Sequence, residues 1–208
     1  MTDFEFLSVL ISIVIGFGLT HLLSGLGRAF HFRHVNKIDA VHIAWTITIF
    51  FVLVLNWWVF LLWRETGAWT FSMFFTIILW TTSMYVLALA LYPPHLPEDV
   101  SYRRLFETNR TWFLSTFVAM CLLDILVTTM REDALPELFY IAFVGHYGLI
   151  GAIAAYTRRP SGVIATLFKP PETAIGVVFK NRHYDLIAAW YIVITMALWS
   201  FGVRGTLG

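Results

Sequence analysis

The chain has 208 residues, 59% of them hydrophobic and 13% charged, with a formal net charge of +1 and a mean hydropathy of +0.74. A soluble domain of this size would need far more polar surface, and no nucleic acid partner is expected. A single cysteine, Cys121, excludes an intrachain disulfide and a cysteine-built zinc site.

The first apolar run covers residues 6–27, close to the ~20 residues a helix needs to cross hydrocarbon. It follows Asp3 and Glu5 instead of a basic leader, so it reads as a permanent span. Ser8, Ser12, Gly16, Thr20 and Ser24 recur at every fourth position, a period that lets two helices approach until their backbones nearly touch. Span one is therefore expected to be buried, with His21 in its inner half. The connection after it carries Arg28, Arg33 and Lys37. His31, His34 and His42 have an HxxH-like spacing there, but the basic neighbours oppose a cation and no metal site is expected.

Span two, residues 41–63, holds one deep amide, Asn56. Its Trp57 and Trp58, with Trp80 of span three (residues 69–92), lie too deep for the headgroup boundary and are read as packing residues. The connection at residues 93–110 opens with Pro93, Pro94 and Pro97, a helix stop, and ends as a short amphipathic lead into span four. Tyr102, Arg103, Arg104, Glu107, Asn109 and Arg110 form either a phosphate or headgroup site or a solvated helix face.

Span four, residues 111–130, contains Asp124, the one acid well inside a span. Thr128 lies one turn outward, Cys121 one turn inward and Arg131 two turns outward on the same face. Span five, residues 138–156, has His146 near its middle and a small-residue series in Gly145, Gly148 and Gly151 that should receive span one. The connection at residues 157–185 holds Arg158, Arg159, Lys169, Lys180 and Arg182 around two apolar runs too short to cross; these are expected to lie in the interface. Span six covers residues 186–203.

Basic residues in short connections mark the cytoplasmic side. Arg28, Arg33, Lys37, Arg103, Arg104, Arg110, Arg158 and Arg159 all fall in alternate connections, against Arg64, Arg131 and Arg204 on the other side. The expected protein is thus an all-α polytopic bundle of six transmembrane helices in a plasma (inner) membrane, both termini outside. Its partners should be anionic headgroups on the cytoplasmic face, contacted by Arg28, Arg33, Lys37, Arg103, Arg104, Arg158 and Arg159, and a second copy of itself.

Polar groups at membrane depth are the functional pointers, because hydrocarbon offers them no partner. Asp124, Thr128, His146, His21 and Asn56 would line a path for an ion, proton or small solute if they faced one cavity. The first reading is a small oligomeric channel or transporter. A b-type haem or other electron-transfer subunit is the second, although the ~1.5 Å rise per residue sets His21 and His146 about 6 Å apart along the membrane normal, a poor match for haem ligation. A noncatalytic module acting through a protein partner is the third. No GxSxG, HExxH or Gly-rich phosphate loop occurs, and no cofactor is expected beyond the haem alternative.

Overall fold

The computed structural model describes residues 2–65, 69–94, 101–157 and 182–202. Its helices are α1 (Asp3–His31), α2 (Ala40–Leu61), α3 (Phe71–Leu91), α4 (Tyr102–Glu132), α5 (Leu138–Thr157) and α6 (Arg182–Gly202). Each is long and apolar enough to cross a membrane, and no strand occurs among the described residues. Six crossings return the chain to the face where it began, called here the terminal face. The opposite, basic face carries the two longest connections; Arg158, Arg159 and the two short apolar runs lie outside the described residues.

Local chemistry sets the helix ends. Thr2 and Glu5 form a reciprocal capping box at α1. The Asp39 carboxylate accepts from the N–H groups of Val41 and His42, while Thr70 caps α3 and Ser101 caps α4, each satisfying donors that the first helical turn leaves over. At ~1.5 Å per residue, α1 and α4 are about 44 and 46 Å long, more than the ~30 Å of hydrocarbon. Their surplus turns on the basic face expose Arg28, Arg103 and Arg104. Hydroxyls along the spans are satisfied within their own helix, as Thr46 is by the His42 carbonyl and Thr81 by that of Ile77.

Helix α2 is the central post, touching α1, α3, α4 and α6. Outside it, α1 packs on α3, α3 on α4 and α4 on α5, whereas α6 leans on α2 and scarcely meets α5. A hydroxyl of α2, Thr48, reaches the Ala189 carbonyl of α6 at 3.0 Å. The core is strongly aromatic: Trp45 sits edge-on to Phe113 and Phe117 with centroids 5.0 and 5.7 Å away, all three at most 1% exposed.

The structure corrects three expectations. Span one does not dock on span five through its small-residue stripe: Thr20 and Ser24 are exposed and Gly16 has nothing near it. The buried line of α1 is instead Phe4, Leu7, Ile11, Ile15, Gly18, Leu22, Gly25 and Ala29. The physical reason is that the stripe hydroxyls need no partner from α5. Ser8 donates to its own Glu5 carbonyl and Ser12 accepts from the Trp57 indole. At Gly25, by contrast, a Cβ would overlap the Tyr92 ring, so glycine is required for that ring to lie on the α1 backbone. Two members of the α5 series pack on α4, Gly151 against Phe117 and Val118 and Gly148 against Cys121, while Gly145 meets nothing.

Trp57 and Trp58 are exposed on the bundle surface, so of the three deep tryptophans Trp80 alone is packed inside. Arg110 is the third correction. It is 1% exposed and turned away from any headgroup, because Asp185 near the start of α6 takes it up.

Candidate functional site

A cavity of about 450 Å³ lies in the terminal half of the bundle, where α5 and α6 part. From α2 it receives Asn56, Val59 and the adjoining Trp63; from α3, Trp80; from α4, Phe117, Cys121, Asp124, Thr128 and Arg131. Helix α5 adds Tyr140, Phe143 and Tyr147, and α6 adds Met196 and Trp199. Glu132, Pro136 and Glu137 line its terminal end at the reversal between α4 and α5, where Asp133 takes a left-handed backbone (φ 49°). A short polar side chain tolerates that conformation better than most.

Asp124 is the polar centre of this space. Tyr140 donates its hydroxyl to Asp124 Oδ2 at 2.6 Å, and Thr128 donates to the Asp124 carbonyl while its hydroxyl stands 3.1 Å from that of Tyr140. Seven residues along α4, Arg131 pairs with Glu132 and lies over the Trp63 ring, 5.2 Å from its centroid. Trp63 in turn stacks nearly parallel on Trp80 at 5.9 Å. The Trp80 indole N–H and Arg131 Nε are buried without a protein acceptor, which leaves two donors in the wall unsatisfied.

Of the residues singled out by sequence, Asp124, Thr128 and Asn56 share this cavity, with Asn56 donating to the Val52 carbonyl of its own helix at 2.8 Å. His21 and His146 do not join them. His21 Nε2 donates to the Tyr92 carbonyl where α3 ends near the basic face. His146 sits half-exposed between α5 and α6, its ring 4.0 Å from that of Tyr147 and its Nε2 3.4 Å from the Tyr191 hydroxyl. A polar series across the whole bilayer is therefore not assembled.

Among the described residues the basic half is densely packed. Below the cavity floor of Phe117, Met120 and Tyr147 lies the Trp45 and Phe113 contact. Beneath it Tyr92 is wedged between α1, α2 and α4: Thr46 lies 3.0 Å from its hydroxyl, and the rings of His42 and Tyr102 flank it. Arg110 completes the closure. Its guanidinium makes three hydrogen bonds to Asp185 of α6, at 2.6 to 3.0 Å, and a fourth to the Ala154 carbonyl of α5 at 2.7 Å, tying three helices at one end.

Tyr140, Trp63 and Trp80 were not singled out as site residues from sequence. Tyr140 had a signal: it opens span five just after the short connection from span four, the hairpin that also carries Asp124. Fold and composition define a multi-pass membrane protein. Comparison of the chain with protein-family models, with curated proteins and with solved structures finds no match.

Proposed function

We propose that the protein is a membrane carrier for a small solute, with the cavity around Asp124 as its binding site. The observation that carries this reading is a half-buried carboxylate lining a space that reaches Glu132, Pro136 and Glu137 at the terminal end, with Trp45, Phe113 and the Arg110–Asp185 pair packed between it and the basic face. A fixed channel needs a continuous polar route, whereas a carrier exposes its site to one side at a time. The wedge between α5 and α6 supports the second: Tyr184 donates to the Ile150 carbonyl and Tyr147 bonds Thr195 toward the basic end, while nearer the terminal face the two helices meet through the Phe143 and Trp199 rings. The site is complete within one chain. Basic side chains exposed around Arg28, Arg33, Lys37, Arg103 and Arg104 suit anionic headgroups on the other face.

Reconstitution into liposomes tests the proposal. Uptake of small solutes should saturate with concentration and fall at least tenfold in Asp124→Asn. Conductance that never saturates, or uptake indifferent to Asp124, would reject it.

A further inference from the structure

We infer that the cavity takes an organic cation, a protonated amine on a compact apolar or aromatic body; as the identity of a transported solute this rests on the carrier reading, but as a ligand assignment it stands on the cavity itself. Three acids, Asp124, Glu132 and Glu137, line the space against one base, Arg131, and Arg131 is engaged by Glu132. The charge balance of the walls is negative. Asp124 lies well inside α4, where the low dielectric strengthens its attraction for a cation and its repulsion of an anion.

Much of the remaining wall is ring surface, from Trp80, Phe117, Tyr140, Phe143, Tyr147 and Trp199, set among aliphatic side chains such as Leu55, Val59 and Val144. Aromatic faces attract cations through their quadrupole, tryptophan most strongly, and this wall already carries one, since the Arg131 guanidinium rests over Trp63. A bare metal ion fits poorly, because hard cations need several oxygen ligands and no three His, Cys, Asp or Glu side chains come together among the described residues. A volume of about 450 Å³ falls in the usual range of small-molecule sites. A cationic head on Asp124 with its apolar body against the rings uses both features of the site.

The test matches three ligands in body and varies the head: phenethylammonium, 2-phenylethanol and phenylacetate, titrated against the full chain in nanodiscs and read by tryptophan fluorescence. Phenethylammonium should give a saturable change, with 2-phenylethanol at least tenfold weaker and phenylacetate weaker still. Asp124→Asn should weaken the cation at least tenfold and leave the alcohol unchanged. Met196→Trp fills the space from α6 without altering a charge, and should abolish binding of all three; with the wild-type ranking it decides the matter even if Asp124→Asn fails to fold. Equal binding of the three ligands marks an apolar occupant such as a lipid chain and overturns the inference, as does cation binding that survives Met196→Trp. Saturable cation binding without uptake into liposomes removes the carrier reading and supports this assignment. Asp124-dependent uptake of neutral solutes with no cation binding does the reverse.

Discussion

The two ends of the bundle are built from similar residues to opposite effect. Toward the basic face, Tyr92, His42, Tyr102, Arg110 and Asp185 interlock so tightly that the arginine is 1% exposed. Toward the terminal face, Asp124, Tyr140, Arg131 and three tryptophans surround a void. The difference lies in how many helices each polar group joins. Arg110 reaches α5 and α6 from α4, whereas Tyr140 bonds back across its own hairpin to α4. Ties between distant helices close a bundle, and ties within a hairpin leave its neighbours free to part.

The sharpest way to break this comparison is at the Arg110–Asp185 pair. Removing one member strands a buried charge, a loss of about 3–5 kcal/mol, while replacing both by apolar residues of similar volume is near neutral. Arg110→Met or Asp185→Asn should thus sharply lower the thermal midpoint of the purified protein, and Arg110→Met with Asp185→Leu should recover most of it. Single variants as stable as the parent would show that this end is not the anchored one.

Glycine substitutions in α1 come next. Gly25→Ala forces a methyl into the Tyr92 ring and should cost about 1–3 kcal/mol by overpacking. Gly16→Ala meets nothing and should leave stability unchanged or raise it by up to ~1 kcal/mol through helix propensity. Equal effects on folded yield in nanodiscs would mean that Tyr92 is not seated on α1. At the terminal end, Tyr140→Phe removes one hydrogen bond beside a cavity and should cost about 1 kcal/mol, well below either Arg110 variant in the same melting experiment.

The six spans were legible because hydrocarbon imposes one length and one composition on each. Rotation of each helix about its axis was not. In lipid the outward face is apolar too, so α1 presents Phe6, Val9, Ile13 and Phe17 outward beside a small-residue stripe that looked like an interface. Asp124 could be found, being the one deep acid. Arg110 was misread because a basic residue at a span edge resembles every headgroup anchor, and its acid stands 75 residues away, a distance no local spacing reveals. The cavity itself arises from α6 leaning on α2 instead of α5, a choice made by packing that no single segment encodes.

His42 offers the smallest effect and the finest probe of the closed end. Its ring is 1% exposed between Tyr92 and Tyr102, with centroids 4.8 and 4.9 Å away, and neither nitrogen meets a protein partner. A neutral imidazole keeps one donor and one acceptor, and burying them unpaired costs about 1 kcal/mol or more. Phenylalanine preserves the ring stacking and discards that cost, while its larger ring takes back a part through repacking. If the basic end serves only to close the bundle, His42→Phe should raise stability by about 0.5 kcal/mol and leave solute uptake unaltered. A variant that melts higher yet transports nothing would give His42 a role in opening that end, and the contrast between a rigid half and a working half would no longer hold.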